Sequence, residues 1–148
     1  MQGSSEAPAF RWRPFVSFED TNLVGNVYFA KYISWQGRCR EAFLAEHAPD
    51  VLALLADTLR LVTIKVSCEY FEELAAFDPL EIEMRLRAQR GNRIELEFRY
   101  CLERDGHRRL AALGLQEIGC MDQPRPGAAL LPTEVPASLQ NALRGFTV

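Results

Sequence analysis

Tyr32, Gln36 and Arg40 fall at i, i+4 and i+8, so a helix through them would line three polar-tipped side chains along one stripe. Around them, residues 27–47 repeat apolar positions at spacings of three and four, with Phe29, Ile33, Phe43 and Leu44 in register. Tyr28, Ala30, Trp35, Cys39 and Ala42 add apolar groups to the other sides, which predicts a helix wrapped by its surroundings. An arginine on such a helix needs a partner or a purpose, because an unpaired buried charge is costly. The Arg40 guanidinium keeps its charge and presents a planar fork of donors, suited to a carbonyl, enolate or carboxylate oxygen. The alternative is a structural pair with Glu41, Glu69 or an acid from a second subunit. Arg38 faces elsewhere on the helix and is the second basic candidate. Just upstream, Glu19-Asp20-Thr21-Asn22 is a cluster of turn and cap formers, with Asn26 as the expected helix N-cap. Glu19 and Asp20 are the acids nearest the stripe, and solvated turn carboxylates are their ordinary state.

Other routes to chemistry are closed. His47 and His107 are too few for a histidine-rich metal centre, and no metal ligand set is expected. No HExxH, GxSxG, Walker or GxGxxG pattern occurs. Cys39, Cys68, Cys101 and Cys120 are widely spaced, which predicts reduced thiols packed as small apolar groups. Twenty acidic against seventeen basic side chains give a net charge of −3 without a basic run, which argues against a nucleic-acid partner. No apolar stretch approaches the roughly 20 residues of a membrane helix, and residues 1–8 lack a secretory pattern, so a cytoplasmic location is expected.

The elements that must hold the stripe follow from the same patterning. With 148 residues, one domain with one core is expected. Residues 1–13 read as a flexible leader, 14–123 as the domain, and 124–148 as a proline-rich tail with a short helix near 138–143. Phe15, Val16 and Phe18 suggest a short strand. Gly37 inside the helix suggests that another backbone comes close. After a short helical piece at 51–56, Val62, Ile64, Val66 and Cys68 alternate with polar residues as a half-buried strand. Further strands follow at 80–87, 94–100 and 109–120, with turns at Arg90-Gly91-Asn92-Arg93 and Asp105-Gly106. One long helix and a sheet of about five antiparallel strands imply an α+β fold, the curved sheet wrapped around the helix.

The segment from Phe18 to Tyr32, FEDTNLVGNVYFAKY, resembles the opening of the hotdog-fold thioesterases of the 4-hydroxybenzoyl-CoA type, roughly D-x-D-x-x-G-x-V-[YF]-x-x-x-Y. Its continuation Trp35-Gln36-Gly37-Arg38-Cys39-Arg40-Glu41, with Val66-Ser67-Cys68-Glu69-Tyr70, is similar to the thioesterases of enediyne polyketide clusters. This resemblance implies an enzyme that releases a β-ketoacyl polyene from the acyl carrier protein of an iterative polyketide synthase. Decarboxylation to a polyene methyl ketone would follow. No bound cofactor is implied; the substrate rides on phosphopantetheine of the carrier protein, or on CoA. Assembly as a tetramer, a dimer of dimers, is the family habit.

The resemblance also assigns roles. The position of Asn22 holds a carboxylate in most of the broad family, whereas the enediyne group shares the asparagine. A neutral amide is no general base, so Asn22 would orient the attacking water or the thioester carbonyl. The Phe29 backbone N–H matches the oxyanion donor, a suitable task for an early helix amide. Tyr32, Gln36 and Thr63 would line the substrate path, and Arg40 would hold an oxygen of the substrate. Two rivals stay open: a general acyl-CoA thioesterase of the same fold, and a non-catalytic carrier-protein-binding module.

Overall fold

The computed structural model describes residues 8–148. Residues 1–7, and with them much of the expected leader, lie outside the described residues. The rest of that leader is ordered: β1 (Phe10–Trp12) pairs antiparallel with β3 (Leu80–Arg90), Phe10 opposite Met84 and Trp12 opposite Ile82. Arg11 fastens it, donating to Glu81 at 3.0 Å and Glu83 at 2.6 Å. Three residues are too few to show an alternation, which is why the strand escapes a reading by period. The strand expected at Phe15–Phe18 does not form. Val16 alone is buried there, a single 3-10 turn covers Phe18–Asp20, and the exposed Phe15 and Phe18 rings rest against Phe77.

The long helix α1 (Phe29–His47) has Tyr28, not Asn26, as its N-cap. Asn26 instead closes the preceding turn, donating its N–H to the Asn22 side chain. Tyr32, Trp35, Gln36, Cys39, Phe43 and Leu44 form the buried face. Ser34, Arg38, Glu41 and Ala45 are exposed, so the helix is covered on one side and not wrapped all round. Among the described residues, and leaving aside the helix's own backbone, no atom lies within 4 Å of where a Cβ on Gly37 would sit, so none of them makes the expected approach. Pro49 opens α2 (Pro49–Leu55) at its first turn, where its missing N–H costs nothing.

The sheet holds α1 from beneath. Its order is β1-β3-β4-β5-β2, with β2 (Leu59–Tyr70), β4 (Arg93–Arg104) and β5 (His107–Asp122) all antiparallel to their neighbours. The turns fall where expected, with Gly91 at φ 60° and with Asp105 and Gly106 at φ 54° and 75°, the left-handed pair of a two-residue hairpin. A bulge in β2 interrupts the predicted alternation. Thr63 faces Ile118 and Val66 faces Gln116, so Thr63 shares a side with Val66 and Cys68, and the run Val62-Ile64-Val66-Cys68 does not line one face. After β6 (Leu131–Pro132), α3 (Ala137–Arg144) sinks Leu139 and Leu143 into the core. Residues beyond 123 are therefore part of the domain's packing. All four cysteines are free thiols.

On the sheet face opposite α1, the buried Glu81 carboxylate is held by Arg108 at 2.7 Å and Arg13 at 2.9 Å as well as by Arg11. Burial pushes its pKa up, but these hydrogen bonds outweigh it and hold the group below its ordinary 4.5. A carboxyl depressed on folding contributes stability above the unfolded value, and that contribution fades as pH falls through the lower folded value. The melting temperature of Glu81→Gln should therefore trail wild type near neutrality, with the gap closing below pH 4.5 in a thermal titration.

Candidate active site

Asn22 sits in the turn before α1 with its side-chain oxygen occupied. Its Oδ1 accepts the N–H groups of Val24 at 3.1 Å and Asn26 at 3.2 Å, which fixes the orientation of the amide. The Nδ2 donors have no partner among the described residues. What Asn22 offers a ligand is therefore a donor. The backbone N–H of Phe29, the first residue of α1, likewise has no intrahelical acceptor and points out of a helix N-terminus. Its side chain is exposed instead of joining the core, and its carbonyl accepts the Tyr70 hydroxyl at 2.9 Å.

Asn22, Phe29 and Tyr32 line one cleft of about 430 Å³, together with Tyr70, Glu72 and Glu73 from the end of β2 and the loop after it. The Tyr32 phenol is pushed up to about 12, chiefly by burial and further by Cys68, Tyr70 and Glu73 nearby. Burial also raises Tyr70 to about 12. Both phenols stay protonated at neutral pH and act as donors. Glu72 is paired with Arg104 at 3.8 Å and Arg109 at 3.5 Å. Glu73 has no hydrogen bond or ion pair among the described residues. Neither glutamate stands out from sequence; two acids directly after a strand read as an ordinary solvated loop.

Further along α1 the stripe becomes a directional chain of side chains. Arg40 Nη1 donates to Gln116 Oε1 at 2.7 Å, Gln116 Nε2 to Gln36 Oε1 at 3.3 Å, and Gln36 Nε2 to the Ser67 carbonyl at 3.1 Å. The partner of Arg40 is thus a neutral amide, and Arg40 Nε is buried without a partner among the described residues. Burial pushes the guanidinium's pKa down, with Glu41 opposing. Gln116 was not singled out by sequence, although a glutamine at an inward position of β5, between Gly114 and Ile118, is the signal that marks it. Arg38 turns the other way and lies over the Trp12 ring at 5.7 Å.

Arg40 also lines a second cavity, of about 450 Å³, walled by Leu44, Leu52, Leu55 and Leu59. Arg60 at its rim donates through Nη1 to the carbonyls of Leu55, Asp57 and Leu59 and through Nε to Gln123. Eleven residues of helix, about 16 Å, separate Phe29 from Arg40, so one chain does not bring Asn22 and Arg40 to a common point. Thr63 is exposed on β2 and lines neither space. Asp20 is held by the Ser17 N–H at 2.9 Å and Lys31 at 3.7 Å, and neither it nor Glu19 lines the cleft.

The family model described as the thioesterase-like superfamily matches residues 16–143. The chain belongs to that superfamily. The dynemicin thioesterase, known from crystal structures concerned with induced fit and allostery on polyene binding, is 47% identical. It superposes with a TM-score of 0.89 over 95% of this chain and 99% of that one. The 4-hydroxybenzoyl CoA thioesterase is 16% identical with a TM-score of 0.80 over 93% of this chain and 99% of that one, a likeness of fold. Acyl-CoA thioester hydrolase YbgC of Escherichia coli is 35% identical over 82 residues, 55% of this chain; the chain spans 61% of the length of that curated relative. The curved antiparallel sheet over α1 is accordingly a hotdog fold.

Proposed function

We propose that the chain is a thioester hydrolase acting on a β-ketoacyl polyene carried on phosphopantetheine of an acyl carrier protein, within an iterative enediyne polyketide synthase system. The observation that carries this reading is the 47% identity to the dynemicin thioesterase along nearly the whole chain. The geometry supports it. Asn22 Nδ2 and the Phe29 N–H are the donors for the oxyanion that forms as water adds to the thioester carbon, and such donors act most strongly where water is excluded. The leucine-walled cavity takes the apolar chain, and the Arg40 guanidinium, which lines it, meets an oxygen of the β-keto unit. The same donors would stabilise the enolate left when CO2 departs. Tyr32 lines the cleft, and the wholly buried Gln36 braces Arg40 through Gln116; Thr63 has no contact that gives it a part.

This reading requires two copies. Strand β2 is an open edge of 12 residues with exposed Val62, Ile64 and Val66, a surface that water does not suit. Antiparallel self-pairing along β2 would set the Tyr70 end of one copy against the Leu59 end of the other. Asn22 of one copy would then approach Arg40 of the second, joining donors that a single chain keeps apart. Two such pairs would form the tetramer. The partners are therefore a second copy and a carrier protein, and the reading implies a cytoplasmic location.

The test is an assay with a carrier protein loaded with a β-ketoacyl polyene, with mass detection of released acid and methyl ketone. Many turnovers by wild type, lost in Asn22→Ala, are the expected result. Preference for the CoA thioester of the same acyl group would favour the general acyl-CoA hydrolase. Tight carrier binding with no second turnover would favour a binding module and sink the enzyme.

A further inference from the structure

A charged side chain beside an apolar cavity is ordinarily held by a carboxylate, which also cancels much of its charge. Arg40 is held otherwise. Its Nη1 donates to Gln116 Oε1 at 2.7 Å, and no carboxylate forms an ion pair with it among the described residues. Glu41, whose charge reaches it, is exposed and shares no hydrogen bond with it there. Gln116 is itself fixed. A guanidinium only donates and the Ser67 carbonyl only accepts, so the two amides between them have one orientation that satisfies both ends. Gln116 must turn its oxygen to Arg40 and its nitrogen to Gln36, and Gln36 its nitrogen to Ser67. Gln36 is wholly buried and Gln116 is 4% exposed, so water offers neither amide another partner. Gly114, two residues before Gln116 on β5, leaves the room in which the Gln36 amide lies.

We infer that Gln116 determines specificity at this site: it positions the Arg40 guanidinium without neutralising it, and so makes the enzyme select β-ketoacyl over plain acyl thioesters. This rests on the thioesterase reading above, in which Arg40 meets an oxygen of the β-keto unit. Gln116 lines neither the cleft nor the leucine-walled cavity, so it reaches the substrate only through Arg40, which lines the cavity. It is a positioning residue, not a catalytic one. A glutamate there would hold the guanidinium as firmly but would spend its charge on an ion pair. The amide leaves that charge for the ligand. A plain acyl chain of the same length gives the guanidinium no oxygen to meet, so loosening Arg40 leaves its turnover alone. The β-ketoacyl chain is oriented by the contact, and a misplacement of about 1 Å in such a contact can cost roughly a hundredfold in rate.

The test measures kcat and KM of wild type, Gln116→Met, Arg40→Ala and the double variant on two carrier-protein thioesters of equal chain length. One is β-ketoacyl; the other has a methylene in place of the keto carbon. Methionine nearly fills the space of glutamine and offers Arg40 only a weak acceptor. Gln116→Met is expected to lower kcat on the β-ketoacyl thioester by about 10–100-fold and to leave the plain acyl thioester little changed. Adding it to Arg40→Ala should lower neither rate further, since a residue that acts through Arg40 then has nothing to position. Destabilisation does not mimic this, because loss of folded enzyme lowers both rates by one factor. Gln36→Leu breaks the chain one link further from Arg40; it should show the same selective loss to a smaller extent, and it serves if Gln116→Met does not fold. Equal falls on the two thioesters, wild-type rates in Gln116→Met, or a further selective fall in the Arg40→Ala background each overturn the assignment. Wild type inert toward both thioesters would overturn the hydrolase reading itself, a result distinct from these.

Discussion

Replacing Arg40 by alanine should lower kcat on a β-ketoacyl thioester by about a hundredfold, the scale expected when one preorganised charged donor to the reacting β-keto unit is lost. The chain should stay folded, because Arg40 makes one hydrogen bond among the described residues, to Gln116, and its removal leaves only that amide oxygen unpaired. Arg40→Lys should not restore the rate. An ammonium is a single point charge, whereas the planar guanidinium holds Gln116 with Nη1 and has further N–H donors in its fork. Steady-state kinetics with size-exclusion chromatography of each variant checks this. Wild-type kcat in Arg40→Ala would remove Arg40 from the chemistry and leave it a packing residue.

The second large effect concerns Gly114, whose importance is steric. A Cβ at this position would overlap the Gln36 amide nitrogen, so Gly114→Ala must drive Gln36 from the Ser67 carbonyl. Gln36 is wholly buried, and so its displaced amide finds no water. Overpacking costs about 1–3 kcal/mol and an unsatisfied buried amide about as much again. For a chain of this length that sum corresponds to a fall of roughly 5–15 °C in melting temperature. Trimming the obstructed side chain as well, in Gly114→Ala with Gln36→Ala, should recover much of the loss. That non-additivity in a double-mutant cycle distinguishes a specific overlap from general strain on β5. Equal melting temperatures for Gly114→Ala and wild type would show that Gln36 has somewhere else to go.

Much of the fold was legible because its elements are long and its strands half-buried. Ile82, Met84 and Leu86 against Glu81, Glu83 and Arg85 is a pattern that only a sheet with two different faces explains. Asp105-Gly106 announced its turn through the left-handed conformation that those residues tolerate. What was not legible depends on partners distant in sequence. Phe10–Trp12 becomes a strand because Glu81 and Glu83 await Arg11 some seventy residues later. The bulge at Ile64 leaves no mark in an alternation that looks unbroken. The stripe Tyr32, Gln36, Arg40 was visible from spacing alone, but its meaning was not. Nothing local tells that Gln116 receives Arg40, or that the turn consumes the Asn22 oxygen and leaves its nitrogen.

The two borders of the sheet are unequal, and this limits what the molecule can build. On the β3 side, the three residues of β1 cover one stretch, and the 146–148 segment covers the next by hydrogen bonding through Phe146 and Val148 to Leu86. On the other side, β2 presents its whole length. With only the three-residue β1 at its other end, a sheet of this kind has one long border to extend from. Two molecules joined border to border consume both free borders, and no third can add to the row. Pairing along β2, as proposed above, would therefore be self-terminating: raising the protein concentration should fill a closed particle, not lengthen a fibre, even though the exposed strand is rich in the β-branched residues from which fibres are made.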